Sequence, residues 1–336
     1  MLIPPKYFLS NKISRLLSKI EANKEVVESI TIPAEIELNI RRKSTLRSSL
    51  FSARIEGNSV TTDEFPKLNP KDQRKIEINN ILRAINWIFE KRQNREISVK
   101  DVLTLHSFIM KSIDEGELGK FRTKHEGIFT TSGIIVYHAP PPSQVKTLID
   151  RLLKFTNSKK EEFVPIRAVL AHYIFEKIHP FADGSGRVGR LLMLMILKNG
   201  GYDFKGVMPF EEKIDKRRDS YYRMLEELDK DVSLYVEFML EVVNEASEDA
   251  RKAVLGASAP SPEDFLLPRR AEIYELIKGQ KIINLDSIKR RFAGINERTL
   301  RYDLLKLKEA GFIQKLGGTR GAYYSSISSS FLTERN

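Results

Sequence analysis

Two apolar patterns of helical spacing, Ile166 to His179 and Arg187 to Lys198, are separated by one short break, so this stretch must form a helix, a tight loop and a second helix. The full run is His179-Pro-Phe-Ala-Asp183-Gly184-Ser185-Gly186-Arg187-Val-Gly-Arg190. Two glycines around a small hydroxyl residue, opening a helix, let backbone N–H groups converge on an anion, and the helix dipole favours negative charge there. Arg187 and Arg190 lie three apart on that helix, placed for a polyphosphate. Asp183 is placed to hold a Mg²⁺ that bridges phosphate oxygens, which leaves His179 to take a proton from an attacking hydroxyl.

Composition narrows the chemistry further. The chain has 336 residues and no cysteine, which removes disulfides, thiolate nucleophiles, iron–sulfur clusters and cysteine-bound zinc. The length suits two or three domains. The first residues lack a basic segment followed by an apolar one, and the longest apolar stretches are too short to span a bilayer, so a cytoplasmic protein without membrane contact is expected. Of the net charge of +11, residues 269–327 alone supply +7, from 13 Lys+Arg and 6 Asp+Glu.

Residues 1–94 read as mostly helical, with Ile76, Ile78, Ile81, Leu82, Ile85 and Ile88 on one apolar face. Residues 95–245 carry further helical patterns and one extended stretch, Gly127 to Tyr137, which reads as a β-hairpin ended by three prolines. The Pro-bearing, small-residue segment 246–268 reads as a linker. Residues 269–327 follow as a separate domain, and 328–336 as a frayed tail.

The same letters admit other readings. There is no Walker Gly-x-x-x-x-Gly-Lys-Ser/Thr pattern. Glu176-x-x-His179 is half of a di-iron motif, and no second Glu-x-x-His exists. His172, Glu176 and His179 share a helix face that suits zinc, although for His172 a polar face lining a cleft is the simpler reading. His106, on an apolar helix, reads as a hydrogen-bonded core residue.

The loop resembles the signature of the Fic family, His-Pro-Phe-x-Asp/Glu-Gly-Asn-Gly-Arg-x-x-Arg, at every specified position but one. The resemblance implies a mainly α fold, a Fic-type helical core with a β-hairpin flap, over residues 95–245. It implies His179 as general base and Asp183 as Mg²⁺ ligand. Gly184, Ser185 and Gly186 would form the anion nest, and Arg187 and Arg190 would hold the β- and γ-phosphates of ATP. The hairpin, with Ile128, Phe129, Ile134, Ile135 and Val136, is similar to the family's flap, whose edge registers an extended target segment by strand addition. Ser185 stands where the family usually has Asn. Gly186, where the Doc-like kinases have Lys, favours nucleotidyl transfer.

Upstream, Ser52-Ala-Arg-Ile-Glu56-Gly57 is similar to the family's inhibitory pattern Ser/Thr-x-x-x-Glu-Gly/Asn. It implies that Glu56 pairs with Arg190 and blocks productive seating of ATP. At the other end, three helices and a hairpin in residues 269–324 look like a winged helix-turn-helix. Leu300, Leu304 and Leu307 form its core stripe, and Arg298, Arg301, Tyr302 and Arg320 are left to contact DNA.

The expected activity is therefore that of an autoinhibited protein adenylyltransferase, moving AMP from ATP to a Ser, Thr or Tyr hydroxyl of a target protein, with self-modification as a readout. ATP and Mg²⁺ are the expected cofactors. The partners to test are a hydroxyl-bearing protein, DNA at the C-terminal module and a second copy of the chain as a homodimer. The rival reading is a DNA-binding regulator whose Fic core senses nucleotide without efficient turnover. A third keeps the enzyme with another nucleotide or a phosphocholine compound as donor.

Overall fold

The computed structural model describes residues 2–327 except 94, 115, 117, 130–134, 159, 227–230, 258–262, 264, 265, 293 and 318–321. It divides into two compact units, residues 1–32 with 40–256 and residues 33–39 with 257–336. The helices in chain order are α1 (Asn11–Ser29), α2 (Ala34–Ile55), α3 (Gln73–Glu90), α4 (Val99–Met110), α5 (Pro142–Asn157), α6 (Val164–Ile178), α7 (Ser185–Asn199), α8 (Phe210–Asp215), α9 (Arg218–Glu226), α10 (Ser233–Ala257), α11 (Pro268–Gln280), α12 (Leu285–Arg291) and α13 (Glu297–Glu309). The strands are β1 (Gly127–Phe129), β2 (Ile135–His138), β3 (Ile283–Asn284), β4 (Ile313–Leu316) and β5 (Tyr323–Ser326).

The centre of the first unit is the pair α6 and α7, both buried along nearly their whole length. A helix that is apolar on every side has no solvent face to offer and must be wrapped by others. Here α3, α4 and α5 supply the wrapping, through Ile78, Ile81, Ile85 and Ile88, then Val102, Leu105 and Ile109, then Val145, Ile149 and Leu152. The expected face of α3 is buried at those four isoleucines, while Ile76 and Leu82 lie half-buried at its margin. Close approach of α7 to α6 depends on Gly189. A Cβ there would come within 2.2 Å of the Glu176 Oε1 atom and 3.0 Å of His172 Nδ1.

The hairpin joins β1 and β2 antiparallel, with Gly127 opposite His138 and Ile128 opposite Tyr137, and its register slips between Ile128 and Phe129. Ile128, Phe129, Ile135 and Val136 fall within the two strands, and Ile134 lies outside the described residues.

Two boundaries differ from the expectation. Residues 1–94 do not form a region apart, because Ile13, Leu16, Ile20 and Val27 of α1 join the same core as α6 and α7. The segment 246–257, read as linker, continues α10. Ala246, Ala250 and Val254 are buried at helical spacing, so the small residues that suggested a loop serve close packing instead.

In the second unit a three-stranded antiparallel sheet, in the order β3-β5-β4, packs with α11, α12 and α13. Leu300, Leu304 and Leu307 of α13 are buried together with Ile273, Ile277 and Ile288, and the Asn296 side chain caps α13 by accepting from Arg298 N–H. The two-residue strand β3 gave no signal in the sequence, being too short for any periodicity.

Candidate active site

Pro180 stops α6 at Ile178, since proline has no N–H to donate and its ring clashes with a continuing helix. His179 is left as the C-cap in the left-handed conformation, at φ 46° and ψ 65°. An Arg122 guanidinium holds this turn. Its Nε donates to the His179 carbonyl at 2.7 Å, Nη2 to the Pro140 carbonyl at 2.6 Å and Nη1 to the Lys124 carbonyl at 2.8 Å. One buried arginine thus ties the candidate base to the segment leaving the hairpin. The sequence showed Arg122 only as part of Gly119-Lys-Phe-Arg-Thr123, and no local pattern marks a side chain whose partners are distant carbonyls.

His179 is half-buried, its Nδ1 is buried without a hydrogen-bond partner among the described residues, and desolvation holds its pKa below the usual histidine value. It is therefore neutral at pH 7, the form that accepts a proton. His106 supports the loop from α4. Its Nδ1 accepts from Gly119 N–H at 3.1 Å, so the proton sits on Nε2, which donates to the Asp183 carbonyl at 3.2 Å. Its ring stacks on Phe181 at 3.8 Å. Burial lowers its pKa to about 4, which keeps that tautomer in place across neutral pH.

Gly184, at φ 81°, begins α7, and a Cβ there would lie 2.8 Å from Ile109 Cδ1. Ser185 is where the structure departs from the expectation. Its side chain turns into the loop, where Oγ accepts from Phe181 N–H at 3.0 Å and donates to the Phe181 carbonyl at 3.1 Å. With the residue 1 % exposed, that hydroxyl does not face an incoming anion. A serine is short enough to fold back on the backbone four residues earlier, so it staples the loop rather than lining the nest. Ser185→Ala leaves a buried N–H unpaired, and we expect a loss of about 1–3 kcal/mol, read as a lower Tm.

The two loop arginines are both buried and both held by carboxylates. Arg190 Nη2 donates to Glu56 Oε1 at 2.8 Å and to the Ser52 carbonyl at 2.9 Å, and Nε donates to Ser52 Oγ at 3.0 Å. Arg187 Nη1 donates to Glu77 Oε1 at 2.6 Å and Nη2 to Asp183 Oδ1 at 2.7 Å. Arg190 Nη1 and Arg187 Nε are buried without a partner among the described residues. Burial acts to lower the Arg190 pKa, and the acidic groups around it, Glu56 first among them, together more than offset it, so the guanidinium stays charged.

Local folding explains why Glu56 reaches Arg190. Ser52, in the last turn of α2, and Glu56, one residue past its end, are four apart and so lie on the same side. Gly57, at φ 101°, closes that helix, with Gly57 N–H on the Arg54 carbonyl and Asn58 N–H on the Ala53 carbonyl. This is a Schellman ending, which needs a residue tolerant of the left-handed region after the cap. It leaves Glu56 at the negative end of the α2 dipole and close to the positive start of α7, where a Cβ on Gly186 would lie 2.5 Å from its Oε1. A cavity of about 450 Å³ adjoins Glu56, lined among others by Asn58, Arg74, Glu77, Asp183 and Arg187.

His172 does not line a cleft. It is fully buried, with Nε2 2.9 Å from the Tyr221 hydroxyl. Burial brings Glu176 up to about 8, so this carboxyl is protonated at neutral pH. Among the described residues no group of three His, Asp or Glu is arranged to hold a metal. Asp183 has its side chain largely exposed, and both its hydrogen bonds fall on Oδ1, leaving Oδ2 for a cation held mainly by phosphate oxygens.

In the second unit Arg298 and Arg301 are exposed, and Arg301 donates twice to Glu297, at 2.9 and 2.7 Å. Tyr302 is 52 % exposed, with the Arg270 guanidinium 5.6 Å and the Lys306 ammonium 5.8 Å from its ring centre. Arg320 lies outside the described residues.

Residues 96–197 match the model of the Fic/DOC family. The protein adenylyltransferase Fic of Drosophila willistoni is 25% identical over 289 residues, covering 81% of this chain and 53% of that protein. Its namesake in Drosophila grimshawi is 33% identical over 238 residues, covering 67% and 46%. The chain spans about half the length of the curated relatives it matches. Among solved structures, a Fic family protein from Desulfovibrio desulfuricans has a TM-score of 0.66 at 24% identity, covering 97% of this chain and 98% of that one. A Fic domain containing signaling protein from Bacteroides thetaiotaomicron gives 0.59 at 18%, covering 73% and 97%. At such identities the likeness is one of fold, and this mainly helical fold is that of Fic proteins. With the matched residues containing the whole loop from His179 to Arg190, the chain carries a Fic/DOC family domain.

Proposed function

We propose that the chain is a protein adenylyltransferase restrained by its own Glu56. The observation that carries the reading is the seating of a carboxylate against Arg190 at the start of α7, beside a neutral, half-buried histidine. A site that draws in an internal anion is built for an external one, and its relatives' name supplies the reaction class. ATP is the donor. His179 takes the proton from a Ser, Thr or Tyr hydroxyl of a target protein. The hydroxyl oxygen then bonds to the α-phosphorus as the bond to the β-phosphate oxygen breaks, and pyrophosphate leaves. Arg190, freed from Glu56, and Arg187 offset the charge on the departing phosphates. Asp183 Oδ2 suits Mg²⁺, which when bound offsets charge on the same oxygens. The edge of β1 or β2 offers main-chain groups to an extended target segment.

The test is intact mass spectrometry of purified Glu56→Gly chain after incubation with ATP and Mg²⁺. A gain of one or more adenylyl masses on the chain itself, or on an added target, is expected. A phosphoryl gain, or none on either, would sink the proposal.

For the second unit we propose a winged helix-turn-helix that binds DNA, favoured by the exposed Arg298, Arg301 and Tyr302 face on α13 and the +7 charge of residues 269–327. That interaction predicts a steep loss of affinity with salt, about tenfold or more between 50 and 200 mM. Binding unaffected by salt would argue for a protein-contact role.

A further inference from the structure

The loop has two arginines, and beside Asp183, which holds Arg187 Nη2, the structure gives each a carboxylate from a different helix. Glu56, at the end of α2, holds Arg190, while Glu77, on α3, holds Arg187. Glu77 accepts at both oxygens, from Arg187 at Oε1 and from Asn58 Nδ2 at Oε2, 2.8 Å away. Asn58 is the residue whose N–H completes the helix ending that places Glu56, and its Nδ2 also donates to the Arg74 carbonyl at 3.1 Å. Its Oδ1 accepts from Val60 N–H. Every polar atom of Asn58 that could tie α2 to α3 is thus in use.

We infer that Glu77 is a second gate on the anion-binding loop, joined to Glu56 through Asn58 so that the two carboxylates move as one latch. This rests on the proposal that a nucleotide polyphosphate binds at Arg187 and Arg190. The chemistry is competition. A polyphosphate seated on this loop competes with Glu77 for Arg187 Nη1 as it does with Glu56 for Arg190 Nη2, because both guanidiniums are buried and each presents a limited set of N–H donors. Displacing Glu56 shifts the α2 ending, which pulls on Asn58 and through it on Glu77. Loss of either carboxylate therefore loosens the other. Glu77 acts through Arg187, so it is a positioning residue and not a catalytic one.

The test is calorimetric titration of ATP with Mg²⁺ into the full chain, which needs no turnover. It compares wild type, Glu56→Gly, Glu77→Gln and the double variant, with Tm recorded for each. Glu77→Gln keeps the side chain's size and one acceptor, and is expected to tighten ATP binding about tenfold, the scale of one charge-assisted hydrogen bond. The double variant is expected to depart from the product of the single effects by more than about twofold, the mark of coupled residues. Asn58→Ala keeps both carboxylates and both arginines, and should bring the double variant back to that product. Unchanged or weaker ATP binding by Glu77→Gln, while Glu56→Gly binds tighter, would overturn the second gate and leave the nucleotide reading standing. Strictly multiplicative effects with Asn58 intact would overturn the latch. If no variant binds ATP, the nucleotide reading itself falls and takes the gate with it.

Discussion

His179→Ala, introduced into the Glu56→Gly chain, is expected to lower the rate of adenylyl transfer by about 10²–10⁴, the range for a positioned general base. The loss should fall on turnover with little change in ATP affinity, because in the proposed reaction His179 serves the hydroxyl and the phosphates are left to Arg187 and Arg190. The rate against pH carries a sign that geometry alone would not give. Burial holds the native pKa below the ordinary histidine value of 6.5, and the neutral ring is the active form. The rate of the released enzyme should therefore stay level through neutral pH and fall only under more acid conditions than an exposed histidine would require. Stability shifts in the same direction. A base whose native pKa lies below its unfolded one binds protons more readily when unfolded, so the native state loses stability as pH drops below about 6.5. His179→Ala removes that contribution, and its Tm should decline less between pH 7 and pH 5 than that of the parent chain. Transfer persisting within about threefold of the parent, or an acid limb unchanged by the substitution, would exclude His179 as the base.

The loop was legible in the sequence because its chemistry is local. Pro180, the αL glycine at 184 and the arginines three apart each act within a few residues, so spacing alone places them. The ending of α2 was not read from the sequence, although Gly57 directly after Glu56 is its local signal. What the sequence did not show depends on distant partners. Arg122 acquires its role only when Pro140 and His179 come within reach of one guanidinium, and Glu77 only when α3 packs beside α7. Ser185 misled in the opposite sense. By analogy its hydroxyl belonged to the nest, yet a bond to its own loop four residues back was available and outside the pattern's view. The length of α10 was hidden by composition, because Ala246, Ser247 and Ala250 resemble linker residues until their burial is known. His172 read as a cleft residue because a polar side chain on an apolar helix suggests an opening, whereas Tyr221, far along the chain, meets its Nε2 in the interior.

Glu56→Gly should raise transfer and lower stability together, and the pairing of these two results is what tests the brake. Arg190 is the residue on which they meet. In the closed state its Nη2 is spent on Glu56 and Ser52, so a phosphate oxygen has only the remaining buried Nη1 to approach. Removing the carboxylate returns a charged donor to the site. If Arg190 stabilises the departing pyrophosphate, the gain should be about 10²–10³ in rate, the usual worth of one such donor. The structural cost comes from the same atoms. Arg190 is almost wholly buried and Glu56 about one-third exposed, so the pair is partly screened. Leaving the guanidinium with only its Ser52 contacts should cost about 1–3 kcal/mol, less than for a fully buried pair. Relief of the unfavourable carboxylate at the end of the α2 dipole returns about 0.3–1 kcal/mol, too little to reverse the sign. The released enzyme should therefore melt lower than wild type, and ATP with Mg²⁺ should restore much of the difference by binding the folded state. Glu56→Gln separates charge from volume: it keeps the side chain over Gly186 and should release less activity than glycine. Equal rates for wild type and Glu56→Gly at saturating ATP would mean that Glu56 is a structural partner of Arg190 and no brake. A faster enzyme with an unchanged Tm would place the brake elsewhere than in this ion pair.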